Sequence, residues 1–139
     1  MPFTYSFQQE PFAFVLLRAV GLVDLVTWAN AMQQVIGHRT FRVTMPIVLD
    51  VTEAAVPPPR GNEVILAGTW RLLTPHSRGA IVATPGVLFD AAHAVEQLSE
   101  AHVRACTDLP AALEWLRDPS LQTVLSPARR RPRGTSVGN

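Results

Sequence analysis

The side chains able to do chemistry are few in this chain and stand apart from one another. His38, His76, His93 and His102 follow no metal-ligand spacing, and no H-E-x-x-H run occurs. Cys106 alternates with Ala105 in an apolar stretch and has no base beside it, which predicts a buried, inert thiol. Ser77, Ser99 and Ser126 lack the G-x-S-x-G context of a hydrolase elbow. No acid–base or nucleophile–base pair is recognisable, so the expectation is a non-enzymatic protein with no catalytic, metal or cofactor-binding residue.

Two places offer binding chemistry instead. Asp50 and Thr52 close the run I-V-L-D-V-T, at the end of an expected parallel strand where α/β proteins usually bind ligands. The same Asp50 can equally end the strand through a side-chain turn hydrogen bond. Thr84-Pro85-Gly86 opens a helix and can present free N–H groups to an anion, with Thr84 and Gly86 as its contacts. Arg60 and Arg78 would add positive charge to such a cleft. A plain helix cap, Thr at N-cap and Pro at the first helical position, is the competing reading. Trp28, Trp70 and Trp115 fall on or beside apolar helical stripes, as core residues or as the lining of a pocket for an apolar ligand.

The elements that must hold these residues alternate between strand and helix. Phe3 to Gln8 and Phe12 to Val20 read as strands joined by a turn at Gln9-Glu10-Pro11. Leu22 to Ile36 reads as a helix, with Asp24 in its first turn and Gly37 as its stop. Met45 to Val51 is the next strand. Pro57-Pro58-Pro59 then favours an extended segment before a helix from Asn62 to about Leu73, with Asn62 as cap and Glu63 in the first turn. Ala80 to Ala83 is a strand followed by a helix to about Glu100. His102 to Cys106 and a final helix capped by Thr107 or Asp108 complete the series. This rhythm predicts an α/β fold, with a mostly parallel sheet and helices packed against it.

Composition fits one domain of this kind, since the chain has 139 residues, is 47% hydrophobic and 17% charged. All of its 12 basic residues are arginines. Four of these lie beyond residue 118, so residues 1–118 carry eight against 11 acids. A mildly acidic domain argues against nucleic acid as a partner. No apolar run approaches the length of a membrane span, the first residues lack a basic n-region, and one cysteine excludes an internal disulfide. A cytoplasmic protein is the expectation. Residues 119–139, rich in Ser, Pro, Arg and Gly, are expected to be disordered.

Over residues 3–118 the order of elements resembles the STAS domain superfamily, the fold of SpoIIAA-like bacterial proteins and of the cytoplasmic ends of sulphate transporters. The I-V-L-D strand ending at Asp50, the R-G-A-I-V-A-T-P junction and the closing D-L-x-x-A-L-x-W-L carry the resemblance. It implies a single domain over 1–118, made of a leading strand and four β-α units. It also implies a regulatory role through another protein rather than catalysis. The family's partner edge corresponds here to the loop 52–62 and the helix after it, with Asp50, Thr52, Arg60, Asn62 and Glu63 as candidate contacts. The anti-sigma-factor antagonists of the family carry a phosphorylatable Ser where that helix begins. Here the stretch reads P-P-P-R-G-N-E and has no hydroxyl, so the phosphoswitch is not expected. The alternative function is a carrier or sensor of a small apolar, lipid-like ligand, held beneath the helices of Trp28 or Trp70.

Overall fold

The computed structural model describes residues 3–22, 24–55 and 61–117. The Pro57-Pro58-Pro59 run, Arg60 and the stretch 119–139 lie outside them. Nine elements follow in the order β1 (Phe3–Gln8), β2 (Phe14–Gly21), α1 (Leu25–Gly37), β3 (Ile47–Ala54), α2 (Asn62–Leu73), β4 (Gly79–Val82), α3 (Val87–Leu98), β5 (Val103–Cys106) and α4 (Leu109–Arg117). The expected α/β architecture is present. One five-stranded sheet has its strands in sequence order, β1 antiparallel to β2 and the other pairs parallel.

Sequential order decides where the helices go. Parallel crossovers are right-handed, so three successive ones in one direction place α1, α2 and α3 on the same face. Their buried residues, including Trp28, Met32, Val35, Trp70 and Val95, form one core with Val15, Leu17, Ile47, Leu49 and Ile81 of the sheet. Among the described residues the opposite face has only α4, whose Ala112, Trp115 and Leu116 cover Val48, Ala80, Val82 and Cys106. Exposed Thr4, Ser6 and Arg18 show where α4 does not reach.

Close packing at the start of β4 fixes one glycine. A Cβ at Gly79 would fall 2.8 Å from the indole nitrogen of Trp70, which is fully buried. Beside it Arg78 closes α4. Its Nη2 donates to the carbonyls of Trp115 at 3.0 Å and Leu116 at 3.2 Å, and its guanidinium lies 3.9 Å over the Trp115 ring. A cation on the last carbonyls of a helix complements the helix dipole.

Several boundaries depart from the expectations above. Helix α1 starts at Leu25, because Asp24 is its N-cap and accepts the Thr27 N–H at 2.7 Å. Leu22, apolar and correctly spaced, is 75% exposed and stands outside the helix. Strand β3 continues past Asp50 to Ala54, since β2 pairs with it as far as Gly21↔Ala54. In α2 the cap is Gly61, in the left-handed region at φ 97°, and Asn62 is the first helical residue. Glu63 helps close that end by accepting the Gly61 N–H at 2.9 Å. In α3 the cap is Gly86 at φ 120°, not Thr84, so Pro85 precedes the helix. The same helix ends at Leu98, with Glu100 and Ala101 both at positive φ in the turn to β5. For α4, Asp108 is the cap, accepting the Ala111 N–H at 2.8 Å.

The two edges of the sheet differ. On β5 the N–H of Val103 donates to the Ser99 hydroxyl at 3.0 Å, and the N–H of Ala105 donates to the Glu96 carboxylate at 2.8 Å. Ser99 also donates to the Val103 carbonyl at 3.2 Å. Glu96 of α3 and its C-cap Ser99 thus take outward backbone groups of that edge, which natural sheets commonly protect in such ways. Strand β1 has no covering element of this kind among the described residues.

Candidate functional site

Helices α1, α2 and α3 all begin at the edge where β2, β3 and β4 end, because each follows its strand in a β-α unit. Ligand crevices of open α/β sheets lie at this edge. Here the structure has an apolar cavity of about 70 Å³ between the sheet and the three helices. Leu49, Val51 and Ile81 form its floor, while the helices contribute Trp28 from α1, Leu66 from α2, and Leu88 and Ala91 from α3, among others. Among the described residues Asp24 is the only charged one in the lining.

The electrostatics at the mouth follow from the helix cap. The Thr27 backbone N–H holds the Asp24 carboxyl below its ordinary range, so the mouth carries a negative charge at neutral pH. Inside, Trp28 is 3% exposed and its indole N–H is buried without a hydrogen-bond partner. Its ring lies 5.9 Å from that of Trp70. The two tryptophans divide their work: Trp28 lines the cavity, whereas Trp70 packs deeper, against Gly79. Around the same edge the first turns of all three helices expose apolar side chains, Val26 on α1, Val64 and Ile65 on α2 and Val87 on α3.

The described residues singled out from the sequence lie in four separate places. Asp50 and Thr52 are inside β3, one register step apart from the cavity floor residues Leu49 and Val51, and so face the α4 side. Asp50 accepts the Thr52 N–H at 2.9 Å and the Thr52 hydroxyl at 2.7 Å, and it meets Arg18 of β2 at 3.5 Å. Asn62 and Glu63 head α2, on the other face of the sheet. Thr84 and Gly86 are exposed in the β4–α3 connection, where Asp90 already places a carboxylate in the first turn of α3. Arg78 is at the opposite edge, engaged with α4. Arg60 lies outside the described residues.

The groups with reactive potential are quiet. Burial pushes the Cys106 thiol up to about 11, so it stays protonated. Burial, with help from the Arg71 charge, depresses His102 to about 4, so it is neutral at physiological pH. Its Nε2 lies 3.4 Å from the Thr74 hydroxyl. Among the described residues no group of three or more His, Cys, Asp or Glu side chains is placed to hold a metal ion, and no helix is long and apolar enough to cross a membrane. Of the lining, Trp28 was singled out from the sequence as core or pocket wall, whereas Leu49, Leu66 and Leu88 escaped notice because they have the types and spacing of ordinary core.

No protein-family model and no curated protein sequence matches the chain. A solved structure does: an uncharacterised protein of the DUF3478 family from Shewanella loihica PV-4, itself described as having a SpoIIAA-like fold. It is similar with a TM-score of 0.54 over 82% of this chain and 91% of that one, at 16% sequence identity. The fold is SpoIIAA-like. The resemblance seen in the motifs of residues 3–118 therefore extends to the three-dimensional arrangement of the strands and helices.

Proposed function

We propose that this SpoIIAA-like domain binds a small apolar ligand in the cavity beneath α1, α2 and α3, as a carrier or sensor and without catalysis. The observation that carries the reading is the cavity itself, lined by apolar side chains apart from Asp24 and set at the edge where open α/β sheets ordinarily bind ligands. About 10–15 Å³ of such space admits one water, so about 70 Å³ takes the end of an alkyl chain or a small ring. The Asp24 carboxylate at the mouth disfavours an anionic head group and suits a neutral or cationic one. The unpartnered Trp28 N–H offers a hydrogen bond to an acceptor on the ligand.

Native mass spectrometry tests this, together with titration of tryptophan fluorescence by dodecylamine, dodecanol and laurate. The expected result is a bound mass and a fluorescence change with the amine or alcohol, weaker with laurate. Ala91→Phe, which fills the cavity from α3, should abolish both. No response to any of the three, or a response that survives Ala91→Phe, would sink the reading.

A second reading is favoured by the exposure of Val64 and Ile65 beside Asn62 and Glu63. In it the loop 52–62 and the first turn of α2 dock another protein in a regulatory role, with Arg60 as a further contact. Replacing Asn62, Val64 and Ile65 by Ser would then remove partner recovery in pull-downs, whereas undiminished recovery counts against it.

A further inference from the structure

We propose that β1 is a docking edge for the β1 of a second copy of this chain, paired antiparallel about a two-fold axis at Tyr5. The direction of the backbone groups comes first. Val15 of β2 donates its N–H to Pro46 ahead of β3 at 2.9 Å, so Val15 and, by strand alternation, Leu17 turn their backbone groups towards β3. Phe14, Leu16 and Arg18 then turn theirs towards β1, where they face Gln8, Ser6 and Thr4. The N–H and C=O groups of Phe3, Tyr5 and Phe7 consequently point away from the sheet, and no described element pairs with them.

That spacing is self-complementary. An antiparallel partner centred on Tyr5 sets Tyr5 opposite Tyr5 and Phe3 opposite Phe7, so the three outward residues of each copy meet in hydrogen-bonded pairs. Phe3, Tyr5 and Phe7 all pack on the α1 side, so the same pairing makes a continuous aromatic row across the junction. Thr4 falls opposite Ser6 on the other face, small and neutral. The strand F-T-Y-S-F-Q carries no charge and no proline, and its register with β2 has no bulge. Those are the features by which a sheet edge ordinarily repels a partner, and β1 lacks each of them. Strand β5, by contrast, spends Glu96 and Ser99 on its edge. One strand makes a small interface, so the dimer forms and dissociates with concentration.

Analytical ultracentrifugation of the full chain over a concentration series is the first test. The expected result is a rise from 15.2 kDa to twice that mass. The double variant T4K/S6K places two pairs of like charges directly opposite each other at exposed positions, and should keep the protein monomeric at every concentration. Hydrogen exchange on the unaltered chain gives a readout independent of any substitution. The amides of Tyr5 and Phe7 should gain protection as concentration rises, while those of Thr4 and Ser6, bonded to β2, stay protected throughout. A chain that remains at 15.2 kDa overturns the proposal. So does a dimer indifferent to T4K/S6K, or one whose Tyr5 and Phe7 amides exchange as fast as in the dilute protein.

Discussion

Replacing Gly79 by Ala should cost this domain about 2 kcal/mol, although a strand normally prefers alanine. Two opposed effects set the figure. Filling a strand glycine gains about 0.5–1 kcal/mol from the restricted unfolded chain. Against it, the new methyl would sit 2.8 Å from the Trp70 indole nitrogen and closer still to its ring carbons. Trp70 is fully buried between α2 and the sheet and cannot swing aside. Overpacking of this kind costs about 1–3 kcal/mol, and a contact with a rigid ring belongs at the upper end. Urea unfolding followed by tryptophan fluorescence should therefore show a lower midpoint with an unchanged slope. The cause can be isolated by a double-mutant cycle. In a Trp70→Phe background the ring atoms facing Gly79 are gone, and the alanine should cost at least about 1 kcal/mol less. A Gly79→Ala protein as stable as the parent, or a cost identical in both backgrounds, would refute the packing argument.

Other consequences are open to simpler measurements. Ser99→Ala leaves the buried Val103 N–H without its 3.0 Å acceptor and should destabilise by about 1–3 kcal/mol in thermal denaturation. His102 has a folded pKa depressed from 6.5 to about 4, so the unfolded chain binds its proton first. Its contribution is complete above pH 6.5 and is lost as pH falls towards 4, and His102→Gln should flatten that part of the stability profile. Cys106, raised from 9.0 to about 11, holds about 100-fold less thiolate than a free thiol at the same pH. Alkylation by iodoacetamide at pH 8 should be slower in that proportion, and should recover on unfolding.

The order of strands and helices was legible because apolar periodicity is a local property, and every expected strand and helix is present. What escaped the sequence was decided by distant partners. Asp50-Val51-Thr52 has the chemistry of a turn, yet β3 runs on because β2 lies alongside and sets Arg18 against Asp50. Thr84-Pro85 has the signature of a helix start, but Gly86 adopts φ 120°, open to glycine and closed to most residues, and the helix begins after it. Leu22 matched the apolar stripe of α1 and faces solvent, since a stripe does not say where the cap will fall. The leucines that line the cavity beside Trp28 were hidden for a different reason. A leucine that lines a void and one that fills it are the same letter at the same spacing, and only the distance to the next helix separates them.

The treatment of the two sheet edges has a consequence for the size an assembly can reach. A molecule with two open edges adds copies head to tail without end, which is the geometry of a filament. Here Glu96 and Ser99 occupy the outward N–H groups of Val103 and Ala105 on β5, so an incoming strand finds those donors already taken. Growth by the strand addition proposed above would then use β1 on both partners and finish after one step. Under the pairing proposed for β1, the carboxylate on the Ala105 N–H would act as a chain terminator and hold the largest edge-built species to two copies.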